Sequence, residues 1–229
     1  MIGVIGFGAT EQHGPHLPAN TDNVIADHFV QHVAARFDAA TATTVAVGLS
    51  AEHAWSPRTR SITSLQLRRV ALDHTQALVR LGAERIVFIN AHGGNRPTLE
   101  QVCDDLTAGG TPILMVNPIS LVAANFVHNN LPDVHGGLLE TSVMWAIAPE
   151  LVDLDALREL DISGVDPEHA RRRLIQRGVY WPWVSNDPTF AVDGVIGDPA
   201  GASAALGRQI VESAGRELSS VVARFITYS

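Results

Sequence analysis

Four short runs of β-branched and aliphatic residues, separated by amphipathic helical patterns, constrain the fold of this chain most. The runs are continuous rather than alternating, which is typical of strands buried on both faces of a parallel sheet. Because strands and helices alternate, the sequence predicts an α/β fold, a single layered domain over residues 1–229 with a mostly parallel sheet flanked by helices. The predicted strands cover residues 2–7, 43–48, 85–90 and 111–116.

The helices are predicted from apolar residues three and four positions apart. This spacing indicates helices over residues 24–37 and 67–81, one between Pro97 and the glycine pair 109–110, and one along the apolar stripe 211–225. Ser64 is a candidate cap for the second helix, and Gly82 is its predicted end. Segments 117–135 and 161–195 are rich in Pro, Asn, Asp and Gly, and are predicted to be long excursions with functional or subunit contacts.

The charged residues exclude several classes of chemistry. All 16 basic residues are arginine, so no lysine can form a Schiff base, anchor pyridoxal phosphate or bind phosphate in a P-loop. A net charge of −8 without a clustered basic face argues against nucleic-acid partners. The sequence lacks a signal peptide and an apolar stretch that could span a membrane, so we expect a cytoplasmic protein without a membrane partner.

A first group of chemically active side chains follows the first predicted strand. Glu11, His13 and Asp22 lie in or beside a loop rich in glycine and proline. Ligands collect at the carboxyl ends of parallel strands, and carboxylates with imidazoles suit Zn, Mn or Fe. Spacing alone leaves a second interpretation open, in which the loop is merely polar and Asp22 caps the following helix.

Two further groups favour the metal site over the polar loop. His92 directly follows the third predicted strand, and Gly93 and Gly94 allow a tight turn and close approach of a ligand. His135 and Glu140 stand before an apolar helical pattern, again beside a glycine pair. Three separate groups of histidine and carboxylate therefore predict a common site rather than surface decoration.

The order of these motifs resembles that of a known family. The chain carries Glu-Gln-His-Gly-Pro-His-Leu-Pro from Glu11, then Thr21-Asp22, then Asn-Ala-His-Gly-Gly-Asn from Asn90, then His-Gly-Gly-Leu-Leu-Glu-Thr-Ser from His135. This order resembles the signature of the creatininase family of metal-dependent amidohydrolases over residues 2–149, and residues 194–198 resemble its closing segment. The resemblance implies a homo-oligomer, commonly a hexamer.

The resemblance also implies two divalent ions per chain, either Zn, Mn or Fe. Glu11 resembles the ligand of one ion, His13 that of the other, Asp22 the bridging carboxylate and His92 a further ligand. Creatininase itself carries a ligand glutamate two residues after the position of His92. Because this chain has a glycine there, Glu140 is our candidate for the fifth ligand. His135 resembles the family histidine that transfers protons near the scissile bond.

A pair of ions bridged by a carboxylate can activate water without a covalent intermediate. The resemblance therefore implies hydrolysis of an amide, lactam or formamide bond in a small molecule or short peptide. Creatinine ring opening is disfavoured by Gly94, deformylation of a formamidopyrimidine nucleotide remains open, and residues 194–199 resemble the mycofactocin-precursor peptidase subgroup. A biosynthetic amidohydrolase outside these activities, or a catalytically silent metal-binding assembly subunit, also remains open.

The substrate-binding residues are predicted mainly from segments that depart from the family pattern. Arg58 and Arg60 are expected near the pocket, where a guanidinium could clamp a carboxylate or phosphate of an anionic substrate. The alternative is that both arginines form surface ion pairs. The aromatic segment 180–183 is expected to close over a ligand or to contact another subunit. The candidate substrate residues are Ser50, His53, Arg58, Arg60, Gly93, Gly94 and Trp181.

Overall fold

The structure is a computed structural model that describes residues 1–127 and 131–227. Its centre is a four-stranded parallel sheet in the order β2-β1-β3-β4, which confirms the predicted α/β class. The central pair is in register from Ile2 opposite Arg85 to Phe7 opposite Asn90, so both strands end at the same edge. The strands are β1 (Ile2–Phe7), β2 (Ala40–Thr41), β3 (Arg85–Asn90) and β4 (Ile113–Val116).

The second strand differs from the prediction of residues 43–48. The regular strand is Ala40–Thr41, and beyond it only Val45 bridges to β1. Val4 is paired with Thr41, and Phe7 is paired with Val45. Between these two pairs β1 advances by three residues, whereas the neighbouring segment advances by four. This extra residue is a bulge, which interrupts the regular ladder that the β-branched run suggested.

Helices cover both faces of the sheet, as the continuous apolar strands require. Val87 and Ile89 pack toward α1, α4 and α7, whereas Ile86 and Phe88 pack toward α2 and α3. The helices are α1 (Thr21–Phe37), α2 (Ser64–Arg80), α3 (Arg96–Ala108), α4 (Leu138–Ile147), α5 (Leu154–Glu159), α6 (Pro167–Leu174) and α7 (Ala204–Thr227).

Two helix starts correct the sequence prediction. Thr63, not Ser64, caps α2, because its hydroxyl accepts from the Gln66 amide and the Gln66 side chain accepts from the Thr63 amide. Helix α1 begins at Thr21, and its cap residue Asn20 makes no side-chain cap bond. Asp22 therefore lies in the first turn and does not cap the helix as the polar-loop interpretation required.

The 161–195 segment is an excursion with structure of its own. It contains α6 and, with neighbouring residues, forms a small apolar cluster that includes Ala170, Phe190 and Ile196. Of the predicted excursion 117–135, residues 128–130 lie outside the described part of the chain. Among residues 1–127 and 131–227, no helix combines the length and apolar character needed to cross a membrane.

Candidate metal centre

The predicted ligands converge at the carboxyl ends of β1 and β3. Because Phe7 and Asn90 end in register, the loops that follow them emerge side by side. The first turns of α1 and α4 point into the same region. Together these elements bring six buried or half-buried side chains to one site: Glu11, His13, Asp22, His92, His135 and Glu140.

One part of the centre consists of Glu11, His92 and Asp22 Oδ2, and we call it the Glu11 side. Glu11 Oε1 lies 3.2 Å from His92 Nδ1, and Asp22 Oδ2 lies 3.3 Å from the same nitrogen. Two further imidazoles face Glu11 Oε1, with His135 Nδ1 at 3.4 Å and His53 Nε2 at 3.5 Å. All these groups are buried, so little water can screen them.

The other part consists of His13, Glu140 and Asp22 Oδ1, and we call it the Glu140 side. His13 Nε2 lies 3.2 Å from Asp22 Oδ1 and 3.8 Å from Glu140 Oε2. The Glu140 carboxylate is oriented by the amide of Gly136, which donates to its Oε2 at 2.7 Å. Asp22 thus directs one oxygen toward each side.

Three histidines are oriented by backbone carbonyls on the side of the ring away from the carboxylates. His13 Nδ1 bonds to Glu11 O at 3.1 Å and His92 Nε2 to Leu49 O at 2.7 Å, while His135 Nε2 bonds to Gln12 O. A carbonyl only accepts, so each of these nitrogens carries the proton. When neutral, each ring therefore presents a lone pair to the carboxylates, which is the orientation of a metal-ligating histidine.

Whether a cation fits this centre can be judged from the hydrogen bonding of the carboxylate oxygens. Both oxygens of Glu11 and Oδ2 of Asp22 are buried and have no hydrogen-bond partner among the described residues. Burying a carboxylate without compensation costs several kcal/mol. Hard oxygen donors combined with imidazole nitrogens suit divalent Zn, Mn or Fe. The donor set and its unpartnered oxygens therefore fit divalent metal ions.

In the ion-free protein, protons on histidine compensate part of this negative charge. Burial alone would lower the pKa of His13, but Asp22, Glu140 and Glu11 raise it to about 9. Burial opposes a charge on His92 as well, yet Glu11 and Asp22 hold its pKa well above the usual value. Burial raises the pKa of Glu140 to about 7. A metal ion must therefore compete with protons for these side chains.

A cavity of about 520 Å³ opens onto the centre. Among the predicted substrate residues, His53, Gly93 and Gly94 line this cavity. Ser50 is buried beside it without lining it. The aromatic segment contributes Tyr180 and Trp183 to the wall, with the Trp183 ring edge-on to His53 at 6.1 Å.

The structure does not bring Trp181, Arg58 or Arg60 to the cavity wall. Trp181 packs against Arg173, whose guanidinium carbon lies 5.4 Å from the ring centre. The Arg58 guanidinium donates to the carbonyls of Gly14 at 2.9 Å and Leu17 at 2.6 Å. Arg58 thus braces the loop that carries Glu11 and His13.

Gly94 has a steric reason to be glycine. A Cβ at this position would lie 2.2 Å from Leu49 O and 2.6 Å from His92 Nε2. These two atoms form the hydrogen bond that orients His92. A side chain on residue 94 would therefore disturb the orientation of His92, whereas Glu140 reaches the centre from α4.

Sequence reasoning missed three residues of the site. The side-chain nitrogen of Gln12 lies 2.9 Å from His53 Nδ1 and 3.2 Å from Ser185 Oγ. Ser185 Oγ in turn lies 2.7 Å from His53 Nδ1. Glu52 lines the cavity and lies 3.8 Å from His53 Nε2. Gln12 and Glu52 each adjoin a predicted histidine, which was a usable signal. Ser185 carried none, because it lies in an excursion without periodicity.

Comparison with known proteins identifies the family. The family model described as creatinine amidohydrolase matches residues 1–222. The mycofactocin precursor peptide peptidase of Mycolicibacterium smegmatis is 33% identical over 90% of this chain and 78% of its own length. The creatinine amidohydrolase of Pseudomonas putida is 28% identical over 72% of this chain and 74% of its own length.

A solved structure has the same fold. The manganese form of creatininase superposes with a TM-score of 0.78 at 23% identity, covering 99% of this chain and 91% of the other. This chain therefore belongs to the creatininase family of amidohydrolases.

Proposed function

We propose that this protein is a dinuclear metal-dependent amidohydrolase that cleaves a carbon–nitrogen bond of an amide, lactam or formamide. The observation that carries the proposal is the position of Asp22. Its two carboxylate oxygens face different histidines, His13 at 3.2 Å and His92 at 3.3 Å, and each histidine has a second carboxylate beside it. A carboxylate between two such groups suits a bridge between two cations.

Each side of the centre would hold one ion. Glu11, His92 and Asp22 would bind the first, and His13, Glu140 and Asp22 the second. Two bound divalent ions would lower the pKa of a shared water and polarise the carbonyl that it attacks. The residues of the chain supply the position of the ligands, the exclusion of bulk water and the transfer of protons.

His135 is suited to carry a proton between the water and the leaving nitrogen. Burial, together with the nearby His13 and His53, holds its pKa well below the usual value, so the ring is neutral. Its Nε2 proton is fixed on the carbonyl of Gln12, which leaves Nδ1 free to accept a proton at the cavity wall. Nδ1 can then donate that proton to the amine as the bond breaks.

Within this class, a short peptide is the substrate that we favour. A relative that is 33% identical over 90% of the chain is named a peptide peptidase. Creatinine is disfavoured because Gly94 has no space for an additional ligand side chain. The cavity of about 520 Å³, with Tyr180 and Trp183 in its wall, is large enough for part of a peptide.

The test is a hydrolysis screen with the metal-reconstituted protein. Short peptides, formamides and cyclic amides are incubated with enzyme loaded with Mn, Zn or Fe, and released amine is measured. We expect hydrolysis of at least one class, and no hydrolysis by Asp22→Asn. Binding of two ions without hydrolysis of any class would instead support a silent assembly subunit. Sedimentation analysis of the same sample tests the proposed homo-oligomer, for which a hexamer is expected.

A further inference from the structure

A second cavity adjoins the centre and is not lined by the aromatic segment 180–183. It has a volume of about 230 Å³ and shares Ala91, Gly93, Val134, His135 and Glu140 with the first cavity. A substrate held at the centre could therefore extend into both cavities. The lining of the second cavity differs from that of the first by including Asn90, Arg96, Asn117, Ser120 and Asp133.

The second cavity presents hydrogen-bond donors that have no acceptor in the described residues. Arg96 donates through Nε to Glu100 at 2.7 Å, which leaves both terminal nitrogens of its guanidinium available. Asn117 accepts from Asn90 at 2.7 Å through Oδ1, so its own amide protons are available. The Ser120 hydroxyl makes no side-chain bond in residues 1–127 and 131–227.

Both carboxylates that line this cavity already accept hydrogen bonds from backbone amides. Asp133 accepts from the amides of Leu138 at 2.7 Å and Leu139 at 2.9 Å, one on each oxygen. Glu140 accepts from Gly136. Hydrogen-bond donors without partners, next to carboxylates that already have partners, favour a ligand that only accepts hydrogen bonds, such as a carboxylate. Among the described residues, Arg96 is the only arginine that lines either cavity.

We propose that the second cavity binds a carboxylate of the substrate through Arg96, Asn117 and Ser120. The inference rests on the proposed amidohydrolase function and specifies its substrate: a peptide whose free carboxyl end lies close to the bond that is cleaved. Arg96 thus takes the role predicted for Arg58 and Arg60, because a planar guanidinium matches a carboxylate. The first cavity, whose wall includes Tyr180 and Trp183, holds the remainder of the peptide.

The test compares binding of one acetylated dipeptide in two forms, with a free carboxylate and with a carboxamide. Affinity for the metal-loaded protein is measured by ligand-observed NMR, so the result does not depend on turnover. The wild type should bind the acid about tenfold more tightly than the amide, since only the acid can form a charge-assisted hydrogen bond with the Arg96 guanidinium. Arg96→Ala should remove this preference, and Arg96→Lys should restore part of it.

Arg69→Ala is the matched control. Arg69 donates through Nε to Asp73 at 2.9 Å in the same i,i+4 arrangement, but on a helix face that lines neither cavity. Equal affinity for acid and amide, no binding of the acid, or the same loss in both arginine variants would overturn the proposal. Hydrolysis of peptide amides as fast as acids would overturn it while leaving the amidohydrolase function intact. Arg96-dependent binding of the acid without hydrolysis would support the subsite and contradict the proposed function.

Discussion

The two sides of the centre share Asp22 but depend on different parts of the fold. Glu11 and His92 follow two strands that end in register, and His92 is held by the Leu49 carbonyl. Glu140 instead comes from the first turn of α4, whose position depends on packing against α7. The comparison teaches that sheet topology determines one half of the centre and helix packing the other. We therefore expect the Glu11 side to be the more rigid and the tighter binding side.

The largest effect is expected for the residue common to both sides. Asp22→Asn removes a carboxylate charge from both the Glu11 side and the Glu140 side, and it replaces one acceptor oxygen by an amide group that donates. We expect loss of both ions and no measurable hydrolysis, a larger effect than the roughly 10–100-fold caused by losing a group behind the ligands. Metal content is measured by mass spectrometry after gel filtration. Retention of two ions would show that Asp22 is not shared between the sides.

A variant on one side alone separates the two halves. Glu140→Gln should lower the metal content from two ions to about one, because the Glu11 side remains complete. Glu52→Gln is the matched control, since Glu52 lines the cavity but belongs to neither side, and it should retain both ions. Loss of both ions from Glu140→Gln would contradict the independence of the two sides.

The pH dependence of metal binding sharpens the comparison. In the ion-free protein His13 has a pKa of about 9 and Glu140 of about 7, so both are protonated below about pH 7. Binding on the Glu140 side then displaces two protons, whereas binding on the Glu11 side displaces one from His92. Affinity on both sides should rise with pH.

Below pH 7, we expect metal affinity on the Glu140 side to rise by up to about 100-fold per pH unit, because two protons are displaced. On the Glu11 side, where one proton is displaced, we expect a rise of about tenfold per pH unit. Competition titrations with a chelator at several pH values measure both affinities, and Glu140→Gln isolates the Glu11 side. Equal slopes for the two ions would be inconsistent with this assignment of protons.

The smallest effect is expected for Ser185, which contacts His53 from the excursion and belongs to neither side. Ser185→Ala removes the hydroxyl that lies 2.7 Å from His53 Nδ1 and accepts from the Trp55 ring at 2.8 Å. A lost hydrogen bond of about 1 kcal/mol should lower kcat/KM about fivefold with unchanged metal content. Ser163→Ala, an exposed serine of the same excursion, should have no effect. A change in metal content would place Ser185 among the groups that hold the ions.

The sequence predicted most strongly what the sheet determines. Strands buried on both faces have continuous apolar runs, so β1 and β3 could be located, together with the carboxylate and imidazole side chains of the loops that follow them. The second strand was misplaced because its β-branched composition extends past a bulge, and composition does not reveal which residues lose their partners.

The site was less predictable where distant segments meet. No spacing rule connects Ser185 to His53 or Arg96 to the second cavity, because those contacts depend on how the excursion and the β4 loop fold back. Arg58 shows the converse. Its position beside the motifs suggested a substrate contact, yet its guanidinium is used on the carbonyls of Gly14 and Leu17. A sequence does not show that backbone carbonyls will bind the guanidinium of an arginine and so keep it from a substrate.

The bulge beside β2 also affects how copies of this chain can associate. An exposed, regular edge strand can pair with the edge of another molecule and lead to aggregation. Here the edge at β2 has only two regular residues before the bulge breaks the ladder, so it offers a short and irregular template. Assembly by continuing the sheet across β2 is therefore disfavoured, and a homo-oligomer that extends the sheet would have to use the other edge, at β4.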